Sequence, residues 1–64
     1  MSKLAKDTRK LLSQAGWTFF REAKGDHEIW TKASTGDKVT VDANMTSRHT
    51  ANAILKKAGL PKAF

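Results

Sequence analysis

His27-Glu28-Ile29-Trp30-Thr31-Lys32, Ala33-Ser34-Thr35-Gly36-Asp37 and Lys38-Val39-Thr40-Val41-Asp42 follow one another as strand, turn and strand. Lys38 to Asp42 alternates polar and apolar residues without interruption, the period-2 pattern of a strand with one buried side. The first segment mixes polar residues with the β-branched and aromatic types that strands favour. Between them, Ala33 to Asp37 suits a type I turn with Gly36 where a positive φ is needed, which closes a hairpin.

Working outward, Trp17 to Glu22 (WTFFRE) is an aromatic-rich run joined to the hairpin through Ala23 to Asp26, a connection that contains Gly25. Connections this short imply an antiparallel meander. Ser2 to Ala15 reads as a helix, with Leu4, Thr8, Leu11, Leu12 and Ala15 on one stripe. Ser2 serves as its N-cap, Gly16 as a left-handed C′ residue, and Trp17 is placed to pack back onto Leu12. On the other side, Ala43 to Thr46 is a polar loop. Thr46 or Ser47 caps a second helix running to about Ala58, with Ala51, Ile54, Leu55 and Ala58 on one face. Leu11 to Trp17 and Ile54 to Leu60 end alike, one stopping device used twice, and the similarity is too short for an internal repeat. Pro61 prevents continuation. The tail Lys62-Ala63-Phe64 is compatible with fraying and with folding back.

The expected fold class is α+β, a single domain over residues 1–64 in the order α-β-β-β-α, with both helices on one face of a three-stranded antiparallel sheet. Alternation assigns Ile29, Val39 and Val41 to the covered face, together with either Trp17 and Phe19 or Phe20 of the first strand. Trp30 is then expected between charges on the open face, where it would stack a base, anchor a protein partner or simply pack over its sheet neighbours.

Sixty-four residues lie near the lower size at which an apolar core alone supports a fold. There is no cysteine, hence no disulfide framework and no thiolate metal site. No apolar run approaches the roughly 18 residues of a membrane span, and the N-terminus has no signal-peptide pattern, so a soluble cytoplasmic protein without membrane contact is expected. Twelve Lys and Arg against six Asp and Glu give a net charge of +6. That excess favours an anionic partner: nucleic acid, an acidic protein or an anionic surface.

His27 is the foremost candidate for chemistry, with His49 the other histidine. Asp26-His27-Glu28 has the composition of a metal site, but strand neighbours point to opposite faces and do not converge on one ion; no metal and no cofactor are expected. No Gly-x-Ser-x-Gly elbow and no phosphate-binding Gly-x-x-x-x-Gly-Lys loop occur. RNA strand cleavage needs less: the 2′-hydroxyl of the substrate is the nucleophile, and the protein has to move its proton and stabilise charge on the phosphate. An imidazole titrates in the right range for that task. Arg21, Lys24, Lys32 and Lys38 are candidate phosphate contacts, and Gly25 lets the loop backbone come close to a ligand. Ser47-Arg48-His49-Thr50 opens the second helix, where free N–H groups and the helix dipole favour a phosphate beside Arg48, or where ordinary capping suffices. Lys3, Lys6, Arg9 and Lys10 extend a basic track or form a solvated helix face.

Gly16-Trp17, Gly25-Asp26-His27-Glu28-Ile29-Trp30, Gly36-Asp37-Lys38-Val39-Thr40-Val41 and Ala53-Ile54-Leu55-Lys56-Lys57-Ala58-Gly59-Leu60 together resemble the HicA toxins of bacterial type II toxin–antitoxin systems. The resemblance spans nearly the whole chain, in order. It implies a double-stranded-RNA-binding-domain-like fold, an mRNA-cleaving endoribonuclease that stops translation, and neutralisation by a HicB-like antitoxin in a hetero-oligomer. The family's catalytic histidine, in a Gly-Ser-His motif, carries over to His27. Two departures stand out: Asp26 replaces the serine, and Asp42-Ala43-Asn44 stands where the family commonly has a proline and then a histidine. Two other readings remain: a non-catalytic duplex-RNA-binding module, and a protein-interaction domain using Trp30.

Overall fold

The computed structural model describes residues 2–64. Its elements are α1 (Lys3–Gln14), β1 (Trp17–Glu22), β2 (His27–Lys32), β3 (Lys38–Asp42) and α2 (Arg48–Lys57). The order is α-β-β-β-α, as expected, and it fits the α+β arrangement of a double-stranded-RNA-binding-like domain. The sheet is antiparallel with β2 in the centre. Among the described residues, no helix is long and apolar enough to cross a membrane.

Local signals set the boundaries. Ser2 caps α1 by accepting from the Ala5 N–H at 3.1 Å, and its own hydroxyl donates to the Met45 carbonyl at 2.7 Å. Both helices end at a glycine with positive φ, Gly16 at 93° and Gly59 at 79°. After α2 the Gly59 N–H donates to Lys56 O (3.0 Å) and the Leu60 N–H to Leu55 O (2.8 Å), the paired bonds of a Schellman ending. The β2–β3 turn closes by Gly36 N–H donating to Lys32 O at 2.8 Å. The C-terminal tail folds back: Asn52 accepts from the Ala63 and Phe64 N–H groups and donates to Phe64 O.

One face of the sheet is roofed by both helices. Ala5 and Leu12 of α1, Ala51, Ile54 and Leu55 of α2, and Trp17, Trp30, Val39 and Val41 of the strands form one buried cluster, joined by Met45 and Ala58. Thr8 is fully buried in α1; its hydroxyl donates to Leu4 O (2.8 Å) and lies 3.8 Å from the Met45 sulfur. Met45 therefore makes the polar loop before α2 part of the core.

Here the structure corrects the expected strand faces. β2 and β3 pair as Glu28↔Val41 and Trp30↔Val39, so Trp30 shares the covered face with both valines and is 8% exposed. Ile29 pairs with Thr40 on the open face. Trp30 is thus a core residue, edge-to-face with Phe19 at 6.3 Å between centroids, and not an exposed platform for a base or a partner.

Burying that face brings in a carboxylate, Glu28. Arg9 meets it with two bonds, Nε to Oε1 at 2.9 Å and a terminal nitrogen to Oε2 at 2.7 Å; Trp30 Nε1 donates to Oε1 at 3.0 Å. Arg9 accordingly belongs neither to a basic track nor to a solvated face: its side chain is 13% exposed. It clamps α1 onto β2.

Candidate functional site

The open face is assembled by register. β2 gives it His27, Ile29 and Thr31, and β3 gives it Asp42, Thr40 and Lys38 directly opposite. β1 contributes Thr18, opposite Thr31, and Arg21, opposite Ile29. The register shifts between Phe19 and Arg21, so Phe20 is an extra residue in a β-bulge. Phe20 also faces outward: it is 52% exposed, and Lys38 Nζ lies 5.3 Å from its ring centroid.

His27 opens β2 at one end of this face and is exposed. The loop before it turns at Gly25, whose φ of 70° suits glycine. That turn lets the Ala23 N–H donate to His27 O at 2.8 Å. It also brings His27 Nδ1 to 3.1 Å from Lys24 O. A carbonyl can only accept, so this bond is made when Nδ1 carries the proton; in a neutral ring the lone pair is then on Nε2. The local backbone thus favours the tautomer whose basic nitrogen is Nε2.

A second tie holds the same corner. The Ala43 N–H donates to Asp26 O at 2.7 Å, and Asn44 Nδ2 donates to Asp26 Oδ2 at 2.5 Å. Asp42 Oδ1 accepts from the Asn44 N–H at 2.9 Å. The loop carrying His27 and the loop leaving β3 are fastened to each other beside the imidazole.

The sequence-predicted residues fall into three groups. Arg21 and Lys38 share the open face with His27, and Lys24 and Gly25 are exposed in the loop that holds its ring. Lys32 pairs with Trp17 on the covered side, its Cε 4.0 Å from the Cβ position of Gly16. Arg48 is exposed at the start of α2, whose N-cap Ser47 makes no side-chain capping bond. Asp42 was missed as a neighbour of His27, although counting pairs outward from the turn places the two opposite one another. Among the described residues, no three His, Cys, Asp or Glu are grouped to hold a metal ion.

A family model of the HicA toxins of bacterial toxin–antitoxin systems matches residues 5–60. The chain belongs to the HicA toxin family. It is thereby a toxin of a toxin–antitoxin system. No curated protein and no solved structure gives a significant match. In this HicA chain Asp26 and Asn44, one from each stretch that departs from the family's motif, bond to each other through their side chains. The departures form one local unit, and neither is an isolated change.

Proposed function

We propose that this HicA toxin is an endoribonuclease that cleaves mRNA in the cytoplasm with His27 as its catalytic base, and that a HicB-like antitoxin silences it by forming a hetero-oligomer over the site. The observation supporting this most directly is the exposed imidazole with Nδ1 held by Lys24 O, on an open face shared with Arg21 and Lys38.

In the proposed reaction, Nε2 removes the proton of a ribose 2′-hydroxyl. The 2′-oxygen attacks the adjacent phosphorus, the bond to the 5′-oxygen breaks, and that oxygen is protonated by solvent at the open rim. The products are a 2′,3′-cyclic phosphate and a 5′-hydroxyl end. Lys24, Arg21 and Lys38 offset the charge that builds on the phosphoryl oxygens. Asp42, opposite His27, is an attractive cross-strand partner for the imidazolium formed when the proton is taken. No step calls on a metal ion, so excess chelator leaves the rate unchanged. DNA is spared because it has no 2′-hydroxyl.

Replacing His27 with Ala lowers the cleavage rate by roughly 10²- to 10⁴-fold, the usual contribution of general base catalysis. The exposed position leaves stability within about 0.5 kcal/mol. Wild type and His27→Ala, expressed without antitoxin, are compared by growth and by mRNA integrity. Equal harmlessness with intact mRNA in both sinks the catalytic reading. RNA binding that survives with no cleavage in either would leave a binding module.

A further inference from the structure

Phe20 is the largest side chain on the open face, and nothing in the covered core needs it. The bulge sets Phe20 and Arg21 side by side on the same face, where unbroken alternation would send one of them to the other side. Lys38 approaches the ring from β3 and Ile29 lies between the strands. The result is an aromatic ring with the Lys38 ammonium over it and Arg21 next along the strand on the same face. The Arg21 guanidinium donates to Glu22 O at 3.2 Å, and threonines 18, 31 and 40 lie on that face as well. Among the described residues that register assigns to this face, Asp42 alone is acidic, and it lies at the His27 end.

We infer that Phe20 is a stacking platform for an unpaired base of the RNA substrate, seated next to the nucleotide whose 2′-hydroxyl meets His27. Ile29, beside Phe20, is two residues from His27 along β2, roughly 7 Å at the rise of a strand, about one nucleotide step. A base laid on Phe20 puts its own phosphates within reach of Arg21 and Lys38, because the exposed Lys38 ammonium leaves the ring at little cost when a phosphate is offered. An aromatic ring on an open sheet face can stack a base only if the base is unstacked from its neighbours, as single-stranded RNA allows and a duplex does not. The platform therefore selects single-stranded RNA. The cations on this face favour a nucleic acid over an apolar protein surface as its occupant.

This assignment rests on the ribonuclease reading, and its test separates the two. Binding is measured with uncleavable 2′-O-methyl single strands and with the matching duplex, for wild type, Phe20→Ala, Phe20→Leu and Phe20→Trp. Truncation to Ala weakens single-strand binding roughly five- to hundred-fold, the range for loss of one base stack. Phe20→Leu keeps apolar area but not the π face and falls with Ala; Phe20→Trp matches or exceeds wild type. Duplex binding stays the same throughout, and so does thermal unfolding, since the ring is half exposed. Single-strand affinity that Leu or Ala leaves intact overturns the platform while cleavage by His27 stands. Intact RNA affinity with a weakened antitoxin complex overturns it too, reassigning the face to protein docking. Loss of cleavage in His27→Ala does not enter this comparison, because the probe cannot be cut.

Discussion

On the helix-covered side of the sheet, β2 places Glu28, Trp30 and Lys32; on the open side it places His27, Ile29 and Thr31. The covered side is closed by two helices, and its carboxylate is bonded inward, Glu28 to Arg9 and to Trp30, while the buried Trp17 indole N–H has no partner among the described residues. The open side has hydroxyls, cations and an imidazole, with few bonds among them. The first arrangement uses its side chains to hold the fold; the second leaves them available to a ligand. In so small a domain the division matters, because a residue committed to the core is not free for chemistry.

The sharpest break in that comparison is a change on the covered side. Trp30→Ala removes a buried ring and costs about 3–5 kcal/mol, comparable with the whole stability of a domain of this size. Its chemical-denaturation midpoint collapses, and any toxicity disappears together with folded protein. Should Trp30→Ala instead fold normally and lose only RNA or antitoxin binding, the assignment of the two faces is reversed.

That assignment was only half legible in the sequence. Strand and helix limits came from strong local signals: the alternation in Lys38–Asp42, the glycines at 16, 36 and 59, and the cap at Ser2. The face of Trp30 did not, because each alternate set on β2 contains one large apolar residue, Ile29 or Trp30. Hydropathy placed Ile29 inside, since Trp30 is flanked by Glu28 and Lys32. The register decides otherwise, and the turn that joins Lys32 to Asp37 already implies it: counting outward pairs Trp30 with Val39. Burial of Glu28 was illegible for a different reason. It depends on Arg9, distant in sequence and on another element, and periodicity does not reveal such a pairing. The Asp26–Asn44 bond is non-local in the same way, although each residue was conspicuous on its own.

An intermediate effect comes from the clamp that lets a charge sit on the covered side. Glu28→Gln keeps the shape and an acceptor for Trp30 Nε1 but takes the charge from opposite Arg9. With the two side chains 13% and 19% exposed, the loss is about 1–2 kcal/mol, more than an exposed pair gives and less than a fully buried one. Urea unfolding of wild type, Glu28→Gln, Arg9→Met and the double variant measures it. Strict additivity of the two single changes would mean that the clamp contributes nothing as a pair.

The smallest effect on stability sharpens the open side. Asn44→Ala removes the exposed bond to Asp26 and shifts stability by less than about 0.5 kcal/mol. The Ala43 N–H still holds Asp26 O, so the loop stays attached. What changes is the corner around His27. Amide exchange at Lys24 to His27 quickens, and under the proposed ribonuclease function cleavage slows by a few-fold, either because the Lys24 carbonyl no longer holds the imidazole steadily or because a released Asp26 carboxylate repels the incoming RNA. Adding Asp26→Ser separates these causes. If the released charge is responsible, the double variant recovers the rate and loses the extra salt sensitivity that a free carboxylate imposes. If loop looseness is responsible, exchange stays fast and the rate stays low. An Asn44→Ala protein with wild-type exchange and wild-type cleavage would make the bond incidental, and the positioning of His27 would then rest on Gly25 and the strand ladder alone.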